Sequence, residues 1–451
     1  MRKKILVVGW EGADWRTLEP LLDAGRLPRL RSLLSNGCRG TLVSPDPEHS
    51  PSAWASVWTG CGPCAHGVTG TSCSRKDLRR ERVWDILSGQ GWTVGLAGAL
   101  LTSPPSARPG DFIFGDPLSI SPESLPCGHE FLHELAGCHL FPRAFVHRLP
   151  GLAWASRSSV APETLARMLW CAGRLAAAHL PGEDLRHLLP ELQARILTDC
   201  FLRSCGELRP DFAYLHLEFT KTMLHSFWPE RLRAASRIGD AFQLADELLG
   251  RALDWAGRDR IVLVVSAHGM ADPAPGAPAR FRPDYTKALR LLGVRTEALW
   301  GRRYCDRLRL AASGPDGRRT LASLSKGISS IRWARGGGPV FRAAPAGPAD
   351  GNGLELRPGF DDGPPDSPIV LPSGMLFPRE TLLPEFRDTV VHHPEGLFVL
   401  SGPGIRKGRD CAGRPALGLA PTLLKLCGAA GPAPMMEEAP FGDVQEGGGP
   451  A

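Results

Sequence analysis

Two short runs constrain the fold more than anything else in the chain: Lys4–Gly9, which reads KILVVG, and Arg260–Ser266, which reads RIVLVVS. Both are continuously apolar and rich in β-branched residues, with no polar alternation. Such runs suit strands of a parallel sheet covered on both faces. Between them, strand and helix signals alternate. Asp14–Leu22 and Leu27–Leu34 have helical spacing, the second stopping at Asn36-Gly37, and Arg39–Val43 reads as a strand. Val83–Gly89 reads as helix, Thr93–Ala97 and Asp111–Gly115 as strands, Asp211–Phe219 as a strand and Pro229–Ala256 as a long helix. This β–α alternation predicts an α/β chain with a largely parallel central sheet.

The alternation is interrupted once. From 125 to 208 the pattern is helical, clearest over Thr164–Ala178 and Leu185–Cys205, and predicts a helical insertion or lid over one sheet edge. The expected organisation is therefore 1–124 as the first part of the α/β domain, 125–208 as the insertion and 209–430 as the remainder. Within the last part, 343–372 is dense in Gly, Pro and Asp and reads as a loop-rich surface excursion. Gly396–Leu400 reads as the last core strand and Pro421–Cys427 as the last helix. The stretch 431–451 is expected to be a flexible tail.

Composition narrows the function classes. In 451 residues the net charge is only +6, with pI ≈ 8.8 and no basic block of the kind nucleic-acid arms carry. Anionic small ligands suit that balance, and no nucleic-acid partner is expected. No run reaches the roughly 18 apolar residues of a membrane span. The run after Arg2-Lys3-Lys4 breaks at Trp10-Glu11-Gly12, too early for a signal peptide. Twelve cysteines are scattered without a disulfide framework. Together these predict a soluble, reduced, cytoplasmic protein. Cys61-Gly62-Pro63-Cys64 has the spacing of a thioredoxin-like pair. The strand and helix order around it is not that of thioredoxin, so the spacing reads as coincidence.

Chemistry concentrates in Ser44–Val68, SPDPEHSPSAWASVWTGCGPCAHGV. Ser50 before Pro51 predicts an N-cap with proline at the first helical position. A hydroxyl at the positive end of a helix can serve as a cap, an anion contact or a nucleophile.

The segments MRKKILVVGWEGADW, GRLPRLRSLLSNGCRGTL, SPSAWASVWTG, RVWDILSGQGWTVGL, VVSAHGM, VHHPEGLFVLSGPGIRKG and LAPTLLKLCG together resemble one family. It is the type I phosphodiesterase/nucleotide pyrophosphatase branch of the alkaline phosphatase superfamily. The resemblance implies an alkaline-phosphatase-like α/β/α sandwich. It also implies two zinc ions held by aspartates and histidines at strand ends, and a Ser or Thr nucleophile that becomes phosphorylated.

Carried onto this chain, the nucleophile is Ser50 and the first carboxylate ligand is Glu11, where the family has aspartate. The next motif reads Lys221-Thr-Met-Leu-His225, with lysine in place of aspartate. The Ser-Asp-His-Gly motif reads Ser266-Ala267-His268-Gly269, and the last histidine matches His392. The candidate metal set is thus Glu11, Ser50, His225, His268 and His392, with Lys221 a candidate phosphate contact. One anion, one cation and one neutral residue stand where the family has three carboxylates. Because an ammonium has no lone pair to offer, at most one zinc ion is expected, or none. The implied function is hydrolysis of phosphoric esters through phospho-Ser50, with a phosphorylated small molecule or phosphate as ligand. The alternative is a pseudoenzyme that binds a phosphorylated ligand or a protein partner without turnover.

Overall fold

The computed structural model describes the chain except residues 1, 72, 120–122, 130, 133–150, 155, 177–181, 232, 234, 278–279, 295–298, 305–306, 313, 336–337, 347–352, 360–366, 437–440 and 446–451. Strands β1 (Lys4–Trp10), β2 (Gly37–Val43), β3 (Val94–Ala97), β4 (Phe112–Phe114), β5 (Phe212–Leu217) and β6 (Arg260–Ser266) form most of an eight-stranded sheet. The other two members are Leu397–Ser401 and Arg409–Pro415. The spatial order is Arg409–Pro415, β2, Leu397–Ser401, β6, β1, β5, β3, β4. Every pairing is parallel except those of Leu397–Ser401, which runs against both neighbours. This is the alkaline-phosphatase-like α/β architecture expected from the sequence.

β1 shows why its sequence is continuously apolar. Leu6, Val8 and Trp10 point into one core and Ile5 and Val7 into the other, and all are fully buried. On the first face lie α1 (Trp15–Asp23), α2 (Pro28–Ser35) and the helices Gly182–Leu208, Phe219–Phe227 and Arg237–Ala256. On the second lie α3 (Ser50–Thr59), Val83–Gly89 and Leu419–Cys427. Each Leu, Ile or Phe so covered contributes about 1.5–3 kcal/mol, so the middle strands tolerate no polar run.

Several elements depart from expectation. The stretch 343–372 is not simply loop: Phe341–Pro345 and Leu354–Pro358 are strands of a four-stranded antiparallel sheet with Leu299–Tyr304 and Arg307–Ala312. Its Gly- and Pro-rich parts at 347–352 and 360–366 lie outside the described residues. This sheet packs with helices Tyr285–Leu291 and Gly314–Ser329 around a third core that includes Leu310, Phe341 and Leu356. Part of the expected flexible tail is packed instead, with Met435, Phe441 and Val444 buried in the second core; 437–440 and 446–451 lie outside the described residues.

The long helix begins at Arg237, capped by Ser236, with Trp228–Glu230 forming a separate single turn. In the helical stretch, Pro162–Ala176 and Gly182–Leu208 are described helices, while 133–150 and 177–181 lie outside the description. Among the described residues, no helix is long and apolar enough to cross a membrane.

Candidate active site

The parallel strands end in loops on one side of the sheet, the usual place for a site in an open α/β fold. Glu11 follows β1, Ser50 opens α3 beyond β2, Lys221 and His225 lie on the helix after β5, and His268 follows β6. His392 arrives on a short strand, Val391–His393, that pairs with β7 (Gly269–Ala271), setting His392 opposite Met270. All six residues converge.

Ser50 is not the N-cap. His49 takes that position in extended conformation, its Nδ1 accepting the Ser52 amide, and Ser50 is the first helical residue. The Ser50 hydroxyl is thereby left to the site. Its Oγ lies 3.1 Å from His268 Nε2 and 3.3 Å from Lys221 Nζ.

Glu11 is the buried anion around which the rest is arranged. Its Oε2 accepts the indole N–H of Trp54 and stands 2.9 Å from His216 Nε2. Its Oε1 lies 3.1 Å from His268 Nε2 and 3.8 Å from Lys221 Nζ. Burial alone would raise the Glu11 pKa. Lys221, His216 and His268 outweigh it, and the carboxylate is held well below its usual range.

His216, Trp54 and Tyr214 were not singled out by motif. They follow from periodicity: Phe212, Tyr214 and His216 alternate onto the β5 face turned to α3, and Trp54 lies one helical turn beyond Ser50. The signal for His216 is a lone imidazole in an otherwise apolar strand. Tyr214 Oη lies 2.8 Å from His216 Nδ1. Burial, then the Glu11 charge, pushes the Tyr214 pKa well up, so the phenol keeps its proton to donate. His216 then carries its proton on Nε2, 2.9 Å from Glu11 Oε2 but not aligned for a hydrogen bond. Gly9 makes room for this contact, since a Cβ there would sit 2.6 Å from His216 Nδ1.

Thr220 Oγ1 donates to the carbonyls of Glu11 and Leu217, at 2.7 and 2.9 Å, locking the helix that carries Lys221 against the end of β1. Glu218, on the same turn, lies 3.4 Å from Lys221 Nζ. At the rim, the His225 and His392 Nε2 atoms are 3.4 Å apart, so one donates and the other accepts. His392 stacks on His268 at 4.3 Å between ring centroids. Desolvation, followed for His225 by Lys221 and His268 and for His392 by His268 and His225, lowers both pKa values. Both rings are neutral at physiological pH.

The two zinc ions implied by the resemblance do not match this donor set. Among the described residues, no three His, Cys, Asp or Glu side chains are grouped to hold a metal ion. Ala267 supplies no donor, the Lys221 ammonium stands between Ser50 and Glu11, and Glu11 Oε2 is engaged by Trp54. Cys61 is buried and Cys64 exposed.

No curated protein matches the chain. The family model for type I phosphodiesterase / nucleotide pyrophosphatase matches residues 5–278, a range that includes Glu11, Ser50, Lys221, His225 and His268. Because that match covers more than half of the chain, the protein belongs to the type I phosphodiesterase / nucleotide pyrophosphatase family.

Proposed function

We propose that the Ser50 centre is the phosphate-ester site of a phosphodiesterase-type hydrolase in which Ser50 is the nucleophile and the Lys221 ammonium holds a phosphoryl oxygen. The observation that carries this reading is the position of Lys221 Nζ, 3.3 Å from the Ser50 hydroxyl and tied to Glu11 and Glu218. An ammonium there is a point charge for a phosphoryl oxygen. It cannot supply the Lewis acidity or the bound hydroxide of a metal centre, so turnover is slow. The ligand class is a phosphate mono- or diester, nucleotides included.

The exchange of two family carboxylates for Lys221 and Ala267 favours one second reading, a site that binds a phosphorylated ligand without turnover. Calorimetry with phenyl phosphate in chelator tests the common element of both. Binding that weakens at least tenfold in Lys221→Met supports it. No binding to the unmodified protein at millimolar concentrations refutes it.

A further inference from the structure

We infer that a cleft beside the Ser50 centre receives the alcohol portion of the phosphate ester, and that this portion is compact and uncharged. This rests on the functional reading above and narrows its ligand class.

The cleft lies at the carboxyl ends of β3, β4 and β5, against the helix Gly182–Leu208. Two glycines make room for it. Gly98 follows β3 and Gly115 follows β4, both in the left-handed region with φ of 72° and 78°. A Cβ on Gly98 would lie 2.9 Å from Leu197 Cδ2, and one on Gly115 would lie 3.2 Å from Leu197 Cδ1. Two strand ends without side chains thus leave space below Leu197 and Ala194 of the helix.

This space adjoins the phosphate site through a shared wall. Glu218 and Thr222 line it, on either side of Lys221 in the sequence. Glu218 Oε1 lies 3.4 Å from Lys221 Nζ, which in turn lies 3.3 Å from Ser50 Oγ. His216, a further wall residue, has its Nε2 2.9 Å from Glu11 Oε2. A phosphoryl group on Lys221 therefore has the cleft within reach of its ester oxygen.

Size and wall chemistry decide what fits. The cleft has a volume of about 80 Å³, room for about five to eight groups the size of a water molecule. A nucleoside is far larger. Leu197, Leu217 and Phe219 give apolar walls, and Gln193 and Thr222 add neutral polar groups. Among the described residues that line the cleft there is no lysine or arginine, and the one carboxylate, Glu218, is engaged by Lys221. A second phosphoryl group placed there would lose its water without gaining a cation, which an alkyl, aryl or hydroxyalkyl group does not suffer. The cleft therefore suits the ester of a small neutral alcohol rather than a pyrophosphate.

The probes are methyl phosphate, isobutyl phosphate, adenosine monophosphate and pyrophosphate, each titrated calorimetrically into the full chain in chelator. Each methylene that enters an apolar space adds about fourfold in affinity, so isobutyl phosphate should bind at least about tenfold tighter than methyl phosphate. Adenosine monophosphate and pyrophosphate should bind no tighter than methyl phosphate. That comparison needs no variant. Ala194 is buried on the helix that borders the cleft, and a leucine there would fill it. In Ala194→Leu protein that still binds methyl phosphate, the ratio between the two alkyl esters should fall to near one. Equal binding of methyl and isobutyl phosphate by the unmodified chain overturns the inference, as does a ratio unchanged in Ala194→Leu. Tighter binding of pyrophosphate or the nucleotide than of isobutyl phosphate overturns it too, and all three outcomes leave the phosphate site standing. If none of the four binds at millimolar concentrations, the functional reading falls and the inference with it.

Discussion

Lys221 Nζ lies 3.3 Å from Ser50 Oγ and 3.8 Å from Glu11 Oε1, so a side-chain cation joins the Ser50 hydroxyl to the buried carboxylate. The resemblance leads one to expect an aspartate metal ligand at 221; the chain instead carries its own cation there, held by Glu11 and Glu218. Glu11 is engaged by Trp54, His216, His268 and Lys221 rather than turned out toward a pair of ions.

Glu11→Gln should be costly. It takes one charged partner from Lys221, leaving Glu218, and puts an NH2 donor where one of the two carboxylate oxygens faced N–H groups. Losing one partner of a buried charged cluster costs about 3–5 kcal/mol. Chemical denaturation at neutral pH measures it, and a loss below about 1 kcal/mol would show that the cluster contributes little to stability.

Gly9→Ala should destabilise by about 1–3 kcal/mol through overpacking. The new Cβ would lie 2.6 Å from His216 Nδ1 and 3.0 Å from the Tyr214 hydroxyl, both fixed in the core. The variant should also weaken phenyl phosphate binding, because His216 steadies Glu11. Unchanged stability would mean that His216 can move aside freely.

Acid should act in two windows. His66 is buried and neutral: its Nδ1 accepts the Val68 amide at 3.1 Å, and its Nε2 donates to Ser56 Oγ at 3.0 Å. Burial pushes its pKa down from 6.5 to about 4. A depressed folded pKa means that this stability is whole above pH 6.5. It falls away between 6.5 and 4, by about 3 kcal/mol over the window. Glu11, also depressed, adds its loss only below its ordinary value of 4.5. Unfolding free energies should be level from pH 7.5 to 6.5 and fall from 6.5 to 4, where the depressed His225 and His392 add to the loss, and His66→Phe should make the fall shallower. A flat profile in the unmodified protein would contradict this account of His66.

How much of this was legible in the sequence depends on how local each cause is. β1 and β6 declare themselves because burial on both faces demands an uninterrupted apolar run. Glu11, Ser50, Lys221, His225, His268 and His392 could be named in advance because each falls in a recognisable segment. The Ser-Pro pair suggests Ser50 as the cap, but the His49 side chain takes that place, and the pair looks the same either way. The strands Phe341–Pro345 and Leu354–Pro358 were hidden by glycine and proline in the connections between them. α2 shows the limit most plainly. Leu27 offers its first turn no side-chain cap, and the Arg29 and Leu30 amides donate instead to Asp246 on a helix more than 200 residues later, at 3.0 and 2.8 Å. No local reading finds that partner.

The same contact yields a prediction. Asp246→Ala should cost about 1–3 kcal/mol, since it strands two amides at a packed helix start. Asp246→Asn should recover part of that loss, because its amide oxygen can still accept. Equal losses for the two variants in urea unfolding would show that charge rather than hydrogen bonding matters there.

Zinc content tests the central claim most directly, namely that Lys221 and its neighbours form a cation-bearing phosphate site rather than a metal centre. The full chain is equilibrated with zinc, desalted and analysed for metal, alongside Lys221→Asp, Ala267→Asp and the double variant. The unmodified protein should retain less than one ion per chain, and its turnover of aryl phosphodiesters should not rise with zinc. The double variant should hold clearly more than either single one, because the two carboxylates complete one coupled site. Firm retention of zinc by the unmodified chain, with brisk metal-dependent turnover lost in Ser50→Ala, would contradict the account.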